Sequence, residues 1–270
     1  MTSDPSGEVR RLHEERAVAE GFGEDAAAYD RSRPSYPRVL IERIVAASPG
    51  PDLLDVGCGT GIASRAFRQA GARVLGLDID ARMAETARAS GVDVEVGSFE
   101  AWDPGGRRFD AVTAAQAWHW VDPVAGAAKA ADVLRPGGLL ATFWNAADLP
   151  TGLRPAFAEV YQRVLPGSPV AAFYARSASA ADAYGAFLDA AADGIARSQA
   201  FRESERWRDD WEQDYTRDQW LEQLATHGGA NRLGPAEREA LHAGLAAAID
   251  AVGGRFTMSY ATVTLAATRR

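Results

Sequence analysis

Cysteine and lysine are both nearly absent from this chain of 270 residues. Its single cysteine, Cys58, can form no internal disulfide and no zinc site built from cysteines, so a reducing cytoplasm is the expected compartment. Of the 29 basic residues only Lys129 is a lysine, and it stands in AAKAA. A P-loop nucleoside triphosphatase needs a lysine in GK[ST], so this class of enzyme is excluded.

Long apolar runs and an excess of positive charge are missing as well. No stretch approaches the roughly 20 apolar residues that cross a bilayer, and the opening MTSDPSGEVRRLHEER lacks the apolar segment of a secretory signal. We therefore expect no membrane partner. The formal net charge of −8 argues against binding nucleic acid through a broad basic face, so the expected partner is a small molecule.

Short apolar runs alternate with helical patterns between residues 52 and 145. The predicted strands are DLLDVG, ARVLGLD, VDVEVG, FDAVTAA and GLLATFWN, and helical stretches such as IASRAFRQAG lie between most of them. This alternation predicts βαβ units and a parallel sheet. Because the strands do not alternate strictly between apolar and polar residues, both faces of the sheet should be covered.

The flanking regions read mainly as helical. We divide the chain into a helical N-terminal segment (1–50, with a helix at 9–20), the core (51–149), a helical cap or substrate region (150–250) and a C-terminal strand that completes the core sheet (251–270). Within the cap, helices are expected near 153–165, 178–196, 216–226 and 235–251. The final run FTMSYATVTLAATRR is rich in threonine, valine and aromatic residues and favours a strand.

The sharpest motif is LLDVGCGTG at residues 53–61, where a strand enters a glycine-rich turn and a helix follows. Glycines allow the backbone to turn tightly and approach a ligand, and the helix N-terminus favours a negative group. Dinucleotide enzymes use GxGxxG, but here the third glycine is Gly61, and Ile62 holds the last position of that pattern. This weakens a nicotinamide interpretation. A glycine turn without a ligand is a second alternative.

An acid at the end of the second predicted strand gives another signal. Asp78 in VLGLDID lies seventeen residues after Gly61, where a carboxylate can accept hydrogen bonds from both hydroxyls of a ribose. An acid at this point could instead cap the next helix, but Asp80 is better placed for that role. We therefore expect Asp78 to be a ribose ligand.

Taken in order, LDVGCGTG, GLDID, VGSFEAWD, FDAVTAAQAWHW and VLRPGG resemble the motifs of class I S-adenosylmethionine-dependent methyltransferases, most closely the small-molecule, methyltransferase-type-11 branch. The resemblance covers roughly residues 25–145. It implies an α/β fold with a Rossmann-like seven-stranded sheet, helices on both faces and an antiparallel last strand at 256–268. It also implies S-adenosylmethionine as cofactor, S-adenosylhomocysteine as product, and methyl transfer by in-line displacement to an O, N or C nucleophile of a small molecule.

The resemblance further implies a set of cofactor-binding residues: Tyr29, Arg33, Asp55, Gly57, Cys58, Gly59, Asp78, Ile79, Met83, Ser98, Phe99, Glu100, Gln116 and Ala117. In this set the glycine turn faces the methionine part and the ribose, while Arg33 lies near the cofactor carboxylate. Ile79 and Met83 lie along the adenine, whose edge meets the segment 98–100. Many relatives carry an aspartate where Ser98 stands, so a backbone N–H is the expected contact there.

The segment QAWHWVDP follows the fourth strand, at the edge of the sheet where ligands bind in such folds. His119 is a candidate catalytic base or a group that orients the substrate, with a structural histidine as the alternative. Trp118, Trp120 and Trp144 are candidates for the wall of an aromatic acceptor pocket, or else core residues. The four histidines form no metal-binding motif, so no metal is expected.

Three other functions stay open on the sequence alone. A protein of this fold can bind the cofactor without transferring a methyl group, because fold does not determine function. A nicotinamide-dependent oxidoreductase is the second, although Ile62 argues against it. The third is a tRNA or rRNA methyltransferase, which the acidic balance disfavours.

Overall fold

A single mixed sheet forms the centre of the computed structural model, which describes residue 23 and residues 25–175, 180–226 and 233–270. The strands are β1 Asp52–Val56, β2 Arg73–Asp78, β3 Asp93–Val96, β4 Phe109–Ala115, β5 Leu134–Asp148, β6 Glu205–Thr216 and β7 Arg255–Thr268. They lie in the order β3-β2-β1-β4-β5-β7-β6. Strand β7 is antiparallel to both of its neighbours, and the pairs from β3 to β5 are parallel. The predicted Rossmann-like seven-stranded fold with an antiparallel last strand is confirmed.

Helices connect and cover these strands. In the described part of the chain they are α1 Ala26–Ser32, α2 Arg38–Ala47, α3 Ile62–Gln69, α4 Ala81–Ala89, α5 Pro123–Val133, α6 Arg154–Val164, α7 Pro169–Ala175, α8 Ala180–Ser198, α9 Arg217–Ala225 and α10 Pro235–Asp250. One turn of 3-10 helix, Trp118–Trp120, lies between β4 and α5. The helix expected at 9–20 lies outside the described residues. No described helix is both long and apolar enough to cross a membrane.

The sheet is buried on both faces, as its apolar strands predict. On β1, Leu53 packs with α2 and α3, whereas its neighbour Leu54 packs with α5 and α8 on the opposite face. Successive side chains of a strand point to opposite faces, so covering both faces requires apolar residues at consecutive positions. This explains why the core strands show no strict alternation.

Strand β6 lies within the segment 150–250, which we expected to be a helical cap, and corrects that expectation. It pairs with β7 along its whole length, from Glu205 opposite Ala266 to Thr216 opposite Arg255. Its charged run, ERWRDDWEQDYT, obscures the alternation of buried and exposed side chains that marks a strand. Such charge is typical of an edge strand, where it prevents pairing with other chains. Trp207 and Trp211, which belong to this run, therefore lie on the sheet.

A second apolar core joins α6, α9 and α10 to the ends of β6 and β7. Its buried members include Phe157, Trp220, Leu245, Phe256 and Tyr260. The helices that follow β5 and β6 are thereby held beside the carboxyl end of β5. This places the region after residue 150 next to the edge of the sheet at which the glycine turn lies.

Candidate functional site

A cavity of about 610 Å³ lies at the carboxyl ends of β1, β2 and β4. This volume is within the range of sites that bind small ligands and cofactors. The core lines one side of the cavity, with the glycine turn, the end of β2 and the segment after β3. Helices α7, α8 and α9 and strand β7 line the other side, so the cavity lies between the core and the added helices.

The glycine turn presents bare backbone to this cavity. Gly57, Gly59 and Gly61 have φ angles of 64°, 55° and 87°, in the left-handed region that favours glycine. The N–H of Gly57 donates to the carbonyl of Leu77 on β2 over 2.7 Å, which ties the turn to the neighbouring strand. A Cβ on Gly57 would lie only 2.5 Å from the Cβ of Ala117, so the turn and the end of β4 touch directly.

Asp78, the last residue of β2, lies beside the turn and lines the cavity. Its Oδ2 accepts the N–H of Gly59 at 2.7 Å, and its Oδ1 accepts the N–H of Asp80 at 2.9 Å. Burial raises the pKa of this carboxyl, and the backbone N–H groups of Asp80, Gly59 and Ile79 oppose that rise. A carboxylate offers about four acceptor positions, so these donors leave acceptor capacity for a ligand. Asp80 caps α4 by accepting the N–H of Arg82, which confirms the predicted helix cap.

Asp55 and Cys58 support the turn from behind instead of lining the cavity. Asp55 is completely buried and accepts hydrogen bonds from the hydroxyls of Ser64 at 2.5 Å and Thr113 at 3.0 Å. These bonds connect β1 to α3 and β4. The Cys58 sulfur points toward β2, where a Cβ on Gly76 would lie 2.7 Å from it. Both side chains thus face away from the cavity and hold the turn in place.

The buried carboxyl of Asp55 makes stability depend on pH in a specific direction. Burial raises its pKa from 3.8 to about 6, despite the opposing hydroxyl bonds. Because the folded state holds the proton more tightly, the stabilisation is present below pH 3.8 and is lost as pH rises through 6. We expect wild type to lose about 2 kcal/mol relative to Asp55→Asn between pH 4 and pH 7. Urea unfolding of both proteins at several pH values measures this difference, and a difference independent of pH would contradict the prediction.

The residues expected along the adenine line one part of the cavity together. They are Ile79, Met83, Ser98, Phe99 and Glu100. They lie at the end of β2, on α4 and after β3, so parallel strands bring them to one edge. A Cβ on Gly59 would lie 3.7 Å from the Met83 methyl group, so this side chain closes one side of the turn.

Gln116 has an unusual backbone conformation at the end of β4. Its φ of 56° is in the left-handed region, which costs on the order of 1–3 kcal/mol for a residue other than glycine. Its backbone N–H donates to the carbonyl of Phe143 at 2.8 Å, and its side-chain amide donates to the carbonyl of Asn145 at 3.3 Å. These bonds hold the sharp turn that brings Ala117 against Gly57.

His119 lines the cavity next to this turn. Its Nδ1 accepts the indole N–H of Trp144 at 3.1 Å, and the rings of Trp120 and Phe187 flank it at 4.6 Å and 5.0 Å. Burial lowers the pKa of His119 from 6.5 to about 4, so the ring is neutral at pH 7.

Of the three tryptophans expected in the pocket wall, Trp120 lines the cavity, whereas Trp118 and Trp144 instead lie in the core. Trp144 is fully buried, because β5 is a central strand covered on both faces. The side chain of Trp118, the first residue of the 3-10 turn, packs against Phe99.

Tyr29 and Arg33, at the end of α1, line the cavity from a third direction. The Arg33 guanidinium lies 4.7 Å from the Tyr29 ring centroid and donates to the carbonyl of Thr226 at 2.9 Å, just after α9. Two ion pairs fix α1 further, Arg31 with Glu222 on α9 and Asp30 with Arg65 on α3. Helix α1 is therefore held between the core and α9.

Several lining residues were not anticipated from the sequence. They are mostly aromatic and come from segments without a motif: Tyr36, Asn145, Phe173, Tyr174, Tyr184, Trp220, Gln223 and Tyr260. The hydroxyl of Tyr260 lies 2.7 Å from that of Tyr215. The density of aromatic residues after position 150 was the available signal, but it does not separate core from cavity. Among the described residues, no group of three or more His, Cys, Asp or Glu side chains could hold a metal ion.

Comparison with known proteins gives a consistent result. Residues 54–142 match the family model of a methyltransferase domain. An uncharacterized methyltransferase of Mycobacterium tuberculosis is 36% identical over 57% of this chain and 63% of the relative. A malonyl-[acyl-carrier protein] O-methyltransferase of Enterobacter lignolyticus is 33% identical over 56% and 62%. The chain thus spans less than two thirds of the length of these relatives.

Among solved structures, a candidate type II methyltransferase from Anaeromyxobacter dehalogenans superimposes with a TM-score of 0.62. The alignment covers 87% of this chain and 97% of that chain, with 23% identity. At this identity the likeness shows the fold.

Proposed function

We propose that this chain, whose residues 54–142 match a methyltransferase domain, is a class I methyltransferase that transfers a methyl group from S-adenosylmethionine to a small molecule. The observation that carries the proposal is the geometry around Asp78. Its carboxylate is held by backbone N–H groups, keeps acceptor capacity for a ligand and lies in the cavity beside the bare backbone of Gly57 and Gly59. A ribose with two adjacent hydroxyls fits these features together.

Other residues that line the cavity fit the other parts of the cofactor. The apolar side chains of Ile79 and Met83 would lie along the adenine, with the backbone of Phe99 at its edge. Arg33 would take the carboxylate, because a guanidinium pairs with a carboxylate through two parallel hydrogen bonds. A Cβ on Gly57 would collide with Ala117, so the glycine turn and the end of β4 are in close contact. The methionine part of the cofactor would lie against this contact.

When bound, S-adenosylmethionine supplies a methyl group that is already activated by a sulfonium sulfur. The protein therefore mainly has to align the acceptor and exclude water. The added helices do both, since α7, α8 and α9 close the cavity opposite the glycine turn with Phe173, Tyr174, Tyr184 and Trp220. A small acceptor is favoured because these side chains come from the same chain and leave about 610 Å³ for both ligands.

Calorimetry with S-adenosylhomocysteine, run beside the reduced nicotinamide cofactor, tests the cofactor assignment. We expect a Kd in the micromolar range, about −8 kcal/mol, for S-adenosylhomocysteine and no heat with the nicotinamide. Methyl-labelled S-adenosylmethionine is then offered with phenols, carboxylic acids and amines, and we expect label in a product of at least one class. Binding without any transferred label would retain the cofactor and refute methyl transfer. Binding of the nicotinamide alone would refute both.

A further inference from the structure

The hydrogen bond between Trp144 and His119 determines which ring nitrogen of the histidine carries the proton. An indole N–H can only donate, so the Nδ1 of His119, at 3.1 Å, must offer its lone pair. In a neutral imidazole the proton then lies on Nε2. Trp144 is completely buried on β5 and stacks on Phe187 at 6.0 Å, so the donor itself is fixed.

The other nitrogen, Nε2, is the one that a ligand can reach. It hydrogen bonds to no described residue, although the His119 side chain lines the cavity. The two elements packed against the ring present it with neutral groups: β5 contributes Trp144, and α8 contributes Phe187 with Tyr184 one turn before it. Burial is what lowers the pKa of His119 to about 4. At neutral pH this nitrogen can donate a proton to a hydrogen bond but cannot remove one from an acceptor.

The charges that line the cavity are unevenly distributed. The two carboxylates, Asp78 and Glu100, belong to the side of the glycine turn. Among the described residues after β5 that line the cavity, none carries a carboxylate; they offer amide, indole and phenol groups. An ammonium group on the acceptor would therefore find no counter-ion there, whereas an anionic oxygen would find donors.

We infer that His119 donates its Nε2–H to the acceptor oxygen that becomes methylated, and that this oxygen arrives already ionised. The inference rests on the proposed function and names its acceptor class: a flat apolar body with an acidic hydroxyl, such as a phenol. During transfer the oxygen gives an electron pair to the methyl carbon while the carbon–sulfur bond breaks and its electron pair stays on sulfur. The oxygen loses its negative charge, the sulfur loses its positive charge, and no proton moves in this step.

Nitrogen-15 NMR of the intact labelled protein tests the tautomer without any ligand. The ring signals, assigned through their loss in His119→Gln, should show a proton on Nε2 and a bare Nδ1 at every pH from 6 to 8. In Trp144→Phe the donor is gone, and a mixture of tautomers is expected. Trp118→Phe is the matched control, because the indole N–H of Trp118 bonds to no described residue. A proton on Nδ1, or a titration near pH 6.5 in wild type, would overturn the inference.

Binding of 4-nitrophenol, followed by its absorbance in the presence of saturating S-adenosylhomocysteine, tests the acceptor contact. We expect wild type to bind the phenolate form. His119→Leu should bind it about 10- to 100-fold more weakly, which is the effect of losing one hydrogen bond to a charged group. His119→Gln, whose amide N–H can replace Nε2–H, should stay within about 3-fold of wild type.

Each outcome separates the inference from the proposed function. Phenolate affinity that is equal in wild type and His119→Leu would overturn the donor role while S-adenosylhomocysteine still binds. Wild type that binds S-adenosylhomocysteine but not the phenolate would overturn the acceptor class. Failure of wild type to bind S-adenosylhomocysteine at all would instead refute the proposed function.

Discussion

Asp78→Ala should weaken the binding of S-adenosylhomocysteine by about two to four orders of magnitude. Two hydrogen bonds from ribose hydroxyls to a carboxylate contribute roughly 1.5–3 kcal/mol each, and each 1.4 kcal/mol is a factor of ten. The same substitution leaves the N–H of Gly59 without its acceptor, so the turn also loses a restraint. Calorimetry of the variant and wild type under the same conditions measures the loss.

Asp80→Ala provides the matched control, because it removes a neighbouring carboxylate that caps α4 but does not line the cavity. Losing the cap should cost about 1 kcal/mol of stability and leave the affinity nearly unchanged. Asp78→Asn keeps one acceptor oxygen and should fall between Asp78→Ala and wild type. Equal losses of affinity in Asp78→Ala and Asp80→Ala would show that Asp78 only supports the fold.

Gly57→Ala should both destabilise the protein and abolish tight binding of S-adenosylhomocysteine. An alanine at a φ of 64° costs roughly 1–2 kcal/mol. Its Cβ would also lie 2.5 Å from the Cβ of Ala117, and overpacking of this kind costs typically 1–3 kcal/mol. We expect a total loss of about 2–5 kcal/mol in the free energy of unfolding. The affinity should fall at least about tenfold, because the turn and the end of β4 must separate where the ligand binds.

Gly71→Ala distinguishes conformational strain from the clash. Gly71 has a φ of 98°, but a Cβ there would meet nothing within 4 Å. It should therefore show only the strain, with unchanged affinity. Urea unfolding and calorimetry of the two variants make the comparison. If Gly57→Ala bound S-adenosylhomocysteine as well as Gly71→Ala does, the contact with Ala117 would have no part in the site.

The parts of the molecule that depend on local backbone geometry could be predicted from the sequence. The glycine turn and the cap at Asp80 could be predicted, because a left-handed backbone and a helix start each restrict the residue types that can occupy them. The core strands could be predicted for a similar reason, since burial on both faces demands continuous apolar runs such as Leu53–Leu54.

What the sequence did not predict depends on tertiary packing. Trp120 and Trp144 looked equivalent as aromatic residues near strand ends, yet only the folded chain shows that β5 buries the second one completely. Strand β6 escaped detection because an edge strand can carry charge on both sides of its tryptophans, which resembles a charged helix in sequence. Tyr260 reaches the cavity only because β7 returns antiparallel beside β5.

The placement of the two groups of added helices has an evolutionary consequence. Helices α6, α7 and α8 follow β5, and α9 and α10 follow β6, so both groups begin at the carboxyl edge of the same sheet. Mutations in these added helices can reshape the far wall of the cavity while the glycine turn and Asp78 stay in place. Changes in these helices can therefore alter the far wall of the cavity without changing the half that contains the glycine turn. The match to the methyltransferase domain family ends at residue 142, before the first of these added helices begins.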